Sequence, residues 1–290
     1  MRGGAIMKNL LIAAAIVIVG VASAKAADLA AHHMYTKAPP PVAAVYDWTG
    51  FYIGGNVGYG WSENTDPSLT VVNPGGVGNI GPFLTTGLPG FSSGNLFPNL
   101  RPSGVFGGGQ FGYDKQFGTW VLGAVADIQA SDFKASALVT TPTTICCNAN
   151  ESLSAKIDWF GTVRGKVGYA ANDWLFYGTG GLAYGEAQST IGFACTPGGV
   201  GCGGIAFAGN ASEVRVGWAA GAGISKAWGN WNVGAEYLHM DLGRSSVTAL
   251  SINGAFTTTT ITESQRFVED MLRLTVNYKF GWGGPVVARY

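Results

Sequence analysis

Residues 154–187 read SAKIDWFGTVRGKVGYA, then AND, then WLFYGTGGLAYGEA. In the first part Leu153, Ala155, Ile157, Trp159, Val163, Val167 and Tyr169 fall on one face of an extended chain. Ser154, Lys156, Asp158, Thr162, Arg164 and Lys166 fall on the other. Strict alternation marks a strand between two different environments. Three residues, 171–173, then suffice to turn the chain into a second strand, and aromatics border the turn as Tyr169 and Trp174. A hairpin with one apolar face and one charged face is the unit from which the rest of the fold can be read.

The same pattern recurs along the chain. Period-2 character appears in Trp48–Trp61, Gly104–Phe117, Trp120–Gln129, Ser154–Ala170, Trp174–Ala187, Glu213–Trp228, Trp231–Asp241 and Phe267–Phe280. In the last of these Val268, Leu272, Leu274, Val276, Tyr278 and Phe280 oppose Glu269, Arg273, Thr275, Asn277 and Lys279. The connections alternate in length. Residues 62–103, 130–153, 188–212 and 242–266 are long, whereas 118–119, 171–173 and 229–230 are short. In an up-and-down barrel every second connection lies at the same end, and outer-membrane barrels combine short periplasmic turns with long outer loops. The expected fold is therefore all-β: an eight-stranded antiparallel up-and-down transmembrane barrel with four long outer loops and three short periplasmic turns.

Composition agrees. Among 290 residues there are 46 glycines, 17 basic and 17 acidic residues, so charged residues are 12% and the formal net charge is zero. Soluble domains carry about 25% charged residues. Neutrality argues against a nucleic-acid partner, which would select a basic excess. The apolar stretch Leu10–Ala22, with Arg2 and Lys8 before it, is too short for a transmembrane helix. It has the form of a secretory signal peptide over residues 1–26, with cleavage after Ala26 or, one small-residue pattern earlier, after Ala24. Residues 27–47, with Pro39-Pro40-Pro41, read as a periplasmic linker, residues 48–282 as the barrel and 283–290 as a tail.

Apolar faces turned to lipid place the charged side chains inside. The expected lumen network contains six acids, Asp114, Asp127, Asp158, Glu213, Glu236 and Glu269, and six bases, Lys156, Arg164, Lys166, Arg215, Arg273 and Lys279. An eight-stranded barrel is just wide enough for its side chains to fill it. Balanced charge in that space implies ion pairs and a lumen that does not conduct, because an unpaired buried charge is costly. At the periplasmic rim Trp48, Phe117, Trp120, Trp174, Trp228, Trp231 and Phe280 are expected to form an aromatic girdle, with Trp61 and Tyr184 at the outer rim.

Chemistry is sparse. Gly107-x-Gly109-x-x-Gly112 has dinucleotide spacing, but the alternation around it is β and no helix pattern follows. His32 and His33 fall in the linker and His239 at the end of the seventh segment, so no nucleophile–base arrangement is assembled. The reading is of a non-enzyme without cofactor or metal. Cys146, Cys147, Cys195 and Cys202 all fall in outer loops, where an oxidising compartment favours disulfides. Cys195–Cys202 would close a Gly-rich loop, and pairing between the second and third loops is the alternative.

The stretch Trp48–Gly60, WTGFYIGGNVGYG, resembles the opening strand of the alphaproteobacterial outer-membrane surface antigens of rhizobia and their relatives. FGGGQFGY at 106–113, WLFYGTGGLAYG at 174–185, GWAAGAG at 217–223 and NYKFGWGGPVVARY at 277–290 continue the resemblance. It implies a barrel similar to the OmpA transmembrane domain, resident in the bacterial outer membrane, under a family label that often reads porin. Expected partners are outer-membrane lipid and lipopolysaccharide, the barrel-assembly machinery, and host or phage surfaces through the outer loops. A structural surface antigen is the first reading, with a small-solute porin and a loop-mediated adhesin or ligand-binding protein as alternatives. Outer-membrane barrels usually end on the aromatic of the last strand, whereas here ten residues follow Phe280.

Overall fold

The computed structural model describes residues 46–62, 67–72, 100–142, 147–197, 206–253 and 258–281; the side chains of 141–142, 147–149 and 195–197 lie outside this set. The chain divides into two compact units, 1–44 and 45–290, and only the second contains described residues. The stretch read as a signal peptide, nearly all of that read as a linker and all of that read as a tail therefore lie outside the described residues, as do all four cysteine side chains.

The described unit is all β. Its strands are β1 (Gly50–Trp61), β2 (Ser68–Val72), β3 (Ser103–Phe117), β4 (Trp120–Pro142), β5 (Cys147–Ala171), β6 (Trp174–Pro197), β7 (Ala206–Trp228), β8 (Trp231–Ser251) and β9 (Thr260–Lys279). Every pairing is antiparallel, and the order β1-β3-β4-β5-β6-β7-β8-β9 closes through β1–β9 into a ring of eight. The Gly107-x-Gly109-x-x-Gly112 stretch, which has dinucleotide spacing, lies wholly within β3. Short β2 pairs with β9 beyond the point where β1 stops, from Ser68 opposite Ser264 to Val72 opposite Thr260. The three tight turns each begin on a left-handed residue, Gly118, Asn172 or Gly229. That conformation suits two-residue hairpins, because its twist matches that of the flanking strands.

The strands are longer than their alternation indicates. Much of what reads as outer loop at 130–153, 188–212 and 242–266 is strand, and β2 lies inside the segment 62–103. The reason is a reversal of polarity partway along the barrel. Near the short turns the outward residues are apolar: Phe51, Ile53, Leu122, Val163, Val167, Phe176, Leu272, Leu274 and Val276 are all substantially exposed. Their inward neighbours Asn56, Gln110, Arg164, Thr275 and Asn277 are buried. Toward the other end the inward set becomes Phe106, Phe133, Phe160, Ile157, Leu153, Phe193, Phe207, Val247 and Phe267, a single buried apolar cluster. The outward set there becomes Lys156, Thr190, Arg244, Thr248 and Arg266 or their half-exposed equivalents.

Two devices make the switch. In β6 and β9 the residues simply change type along an unbroken alternation. In β5 and β8 a bulge changes which parity faces inward. A register shift between Ile157 and Phe160 turns Leu153, Ala155 and Ile157 inward and Lys156 outward. In β8 an extra residue, Leu242, sits between Asp241 and Gly243. Gly243 has φ +78°, and its N–H donates to Asp241 Oδ1 at 2.8 Å. A left-handed glycine beside one extra residue is the geometry of a bulge that bends and re-aims a strand.

The aromatic residues measure the apolar band. Phe51 and Trp61 in β1, Tyr169 and Trp159 in β5, Trp174 and Tyr184 in β6, and Trp228 and Trp218 in β7 stand ten residues apart, all outward. With a rise of ~3.3 Å per residue and a tilt of ~40° this is roughly 25 Å, the height of the apolar band of outer-membrane barrels. Beyond it the barrel continues as a β-structure with an apolar core and a mainly polar exterior interrupted by exposed Leu138, Val214 and Leu250.

Candidate functional site: the closed lumen

The lumen is filled in three tiers. At the end bearing the short turns, Trp48 folds into the barrel mouth and is 3% exposed, packed with Val121, Ala170, Leu175 and Ala227. Its backbone N–H donates to Gln116 Oε1 at 2.8 Å, and the Gln116 backbone N–H donates to Thr49 Oγ1 at 3.1 Å. Tyr46 meets Trp48 edge-on at 4.9 Å, and the Lys279 ammonium stands 4.1 Å from the Tyr46 ring centre. Trp48 is thus a cap inside the barrel and not a girdle residue. It precedes the first strand, so strand alternation does not govern where it points. Phe117, Trp120, Trp174, Trp228, Trp231 and Phe280 are exposed on the outer surface.

The second tier is polar. Two arginines and two carboxylates from four strands form a closed ring of ion pairs. Arg164 in β5 reaches Asp127 of β4 at 2.8 Å and Glu236 of β8 at 2.6 Å. Arg273 in β9 reaches the same two carboxylates at 3.1 Å and 2.9 Å. All four are buried. The remaining lone pairs are used: Tyr177 O–H donates to Glu236 Oε2 at 2.8 Å and the Thr162 N–H donates to Asp127 Oδ1 at 3.1 Å. Arg164 Nε donates to Thr162 Oγ1 at 2.8 Å. Below the ring Lys166 pairs with Asp114 at 2.7 Å and stands over the Tyr52 and Tyr177 rings. Three acids and three bases leave no net charge, which makes burial of charge tolerable.

Local sequence builds this tier. Inward-facing Gly112 and Gly223 lie against Tyr52 and Tyr177, where a Cβ would occupy the space of the phenol rings. Amides complete the tier: Gln110 donates to Asn277 Oδ1 at 2.5 Å, and Asn277 donates to Asn232 Oδ1 at 2.8 Å. A cavity of about 20 Å³ lies among Trp48, Tyr52, Asp114, Lys166, Tyr177 and Arg273. That is room for about one water.

Above the ring lies the third tier, the apolar cluster of the outer half. Phe106, Phe133 and Phe160 pack together with ring centres 5.5–5.8 Å apart. Three acids are buried here. Glu269 and Glu263 have both carboxylate oxygens without a hydrogen-bond partner among the described residues, and Glu151 has one. Burial pushes Glu263 up to about 8 and Glu151 up to about 7.

Of the twelve side chains expected in the lumen, the structure thus brings Asp114, Asp127, Arg164, Lys166, Glu236 and Arg273 together and places Glu269 alone. Four are corrected. Lys156 pairs with Asp158 at 2.5 Å, half exposed on the outside, because the β5 bulge has reversed the alternation. Glu213 and Arg215 form an exposed pair at 3.2 Å in the stretch of β7 where no regular pairing with β8 is kept. Lys279 closes the mouth instead of entering the network. His239 also faces outward, with Nδ1 2.8 Å from Asp270 Oδ1 and its ring against Trp218. Sequence reading assigns Trp48 to the girdle, gives Asn277 its inward parity but no role, and passes over Tyr52, Tyr177, Gln110 and Asn232. Their signal is inward parity in uncharged polar or aromatic residues, which a search for charge overlooks. The disulfide pairings fall outside the described residues. Among the described residues no group of three or more His, Cys, Asp or Glu is placed to hold a metal.

An antiparallel ring of eight with an apolar band outside and ions inside matches what comparison of the sequence shows. Residues 12–280 match the family described as the outer membrane protein beta-barrel domain. The chain belongs to this family. Within it, the chain is 30% identical over 277 residues to a 31 kDa outer-membrane immunogenic protein of Brucella melitensis, covering 94% of this chain and all of that one. It is 26% identical to a 25 kDa outer-membrane immunogenic protein of Brucella abortus, over 83% of this chain and 87% of the other. Among solved structures, the outer membrane protein OprG of Pseudomonas aeruginosa aligns over 81% of this chain and 99% of its own, with a TM-score of 0.40 and 10% identity. This barrel is accordingly a protein of the bacterial outer membrane.

Proposed function

We propose that the protein is a structural, surface-exposed barrel of the outer membrane whose lumen does not conduct and which carries out no catalysis. The observation behind this reading is the three-tier filling: an indole cap, a neutral ring of buried ion pairs and an apolar plug of phenylalanines lie in series. A permeant ion would have to displace all three. Immunogenic relatives in Brucella fit a barrel whose strands project beyond the apolar band and present polar surface to the outside. Planar-bilayer recording of the folded protein is the test, with Trp48→Ala beside the wild type. Neither is expected to give stable channels, because the cap is only the first tier. Steady, resolved conductance from the wild type would refute the reading and favour a small-solute porin.

A further inference from the structure

Two rungs of the barrel wall set like charges directly opposite one another. Lys134 faces Lys156 across β4 and β5, and Arg244 faces Arg266 across β8 and β9. Opposed like charges in a sheet are destabilising by themselves. Both rungs lie on the outside, just beyond the bulges, where the barrel leaves the apolar band.

The arginine rung is the richer of the two. Arg215 of β7 reaches across to it and donates through Nη2 to the carbonyl oxygen of Arg244. Three arginines therefore stand close together on this part of the wall, Arg244 and Arg266 as cross-strand partners and Arg215 bonded to the Arg244 backbone. Arg266 is paired with Asp241, and Arg215 with the exposed Glu213 at 3.2 Å. Arg244 is exposed and pairs with no carboxylate among the described residues. The next rung outward is Ser246 opposite Ser264, which supplies hydroxyl donors. Toward the membrane, β9 presents Leu272, Leu274 and Val276 and β8 presents Tyr237 and Val233, all exposed. A ligand placed here would meet cationic forks at one end and an apolar wall at the other. Guanidinium forks match the geometry and charge of a phosphate.

We propose that Arg244, Arg266 and Arg215 hold the phosphate of a lipopolysaccharide headgroup in the outer leaflet, with its acyl chains along β8 and β9. The site depends on the outer-membrane location and on the bulge of β8, and is independent of whether the lumen conducts.

The test uses the full-length protein in nanodiscs of phosphatidylcholine doped with diphosphorylated lipid A or with its dephosphorylated form. Lipid retained per barrel is counted by native mass spectrometry. The wild type is expected to retain the phosphorylated form about tenfold over the other. The double variant Arg215→Gln/Arg244→Gln leaves the Arg266–Asp241 pair in place, and its folding is checked by the heat-dependent gel shift. It is expected to lose that preference, whereas Lys134→Gln/Lys156→Gln keeps it. Equal retention of both lipids by the wild type, an unchanged preference in the arginine variant, or its loss in the lysine variant would each overturn the proposal. So would displacement of the lipid by millimolar inorganic phosphate, which would mean that the site reads a free anion.

Discussion

Replacing Arg273 with methionine removes one side of the buried ion-pair ring while keeping most of its volume. Arg273 is 1% exposed and contacts Asp127 and Glu236 at 3.1 Å and 2.9 Å. Without it, Arg164 alone faces two buried carboxylates, and the tier acquires a net negative charge. Removing one partner of a buried ion pair costs about 3–5 kcal/mol. With a urea dependence of about 2 kcal/mol per molar, the unfolding midpoint in detergent micelles should fall by about 1.5–2.5 M. Tryptophan fluorescence and the heat-dependent gel shift would follow the transition. A companion variant, Arg164→Met, Arg273→Met, Asp127→Asn and Glu236→Gln together, removes every charge of the ring. It keeps acceptors for the Thr162 N–H and the Tyr177 hydroxyl. Because the cost of the single change is an uncompensated charge, the fourfold variant should be more stable than Arg273→Met. A loss below about 1 kcal/mol for Arg273→Met, or a fourfold variant that is less stable than it, would refute the view that charge balance holds this tier together.

Two further outcomes are expected. Glu263, in the outer half beyond the apolar band, has its carboxyl pushed up to about 8 by burial, while in the unfolded chain it titrates near ~4.3. Across that window the unfolded chain binds fewer protons than the folded one, so this group's contribution is fully present below about pH 4 and is lost as pH rises through about 8. Thermal midpoints between pH 5 and 9 should therefore fall less steeply in Glu263→Gln than in the wild type, and parallel curves would contradict this. Gly243→Val forces a β-branched residue into φ +78°, and should cost about 1–3 kcal/mol and speed trypsin cleavage after Arg244 and Arg266. Unchanged proteolysis would show that the bulge does not set the alternation of outer β8.

The membrane-spanning half was legible because lipid and lumen impose opposite demands on alternate residues. Val163, Arg164, Lys166 and Val167 can be assigned by parity alone, and their ten-residue reach follows from the flanking aromatics. The outer half was not legible, because there both environments change. Inside it is apolar and outside it is water, so Leu153, Ala155 and Ile157 read as a lipid face when they are in fact core. A single bulge between Ile157 and Phe160 turns the rule over and carries Lys156 out of the lumen.

Sequence by itself determined the all-β class, the eight-strand meander, the short-turn end and the inward parity of Arg164, Lys166 and Arg273. These follow from period, spacing and composition, which are local or additive properties of the chain. Only the tertiary structure decided which charges meet. Asp127, Arg164, Glu236 and Arg273 come from four strands, and their ring exists only because closure of β1 on β9 and the register of each pair bring them to one level. It also decided that Trp48 caps the mouth and that Arg215, Arg244 and Arg266 gather on the outer wall, since both depend on closure of the barrel and on where a bulge inserts one extra residue.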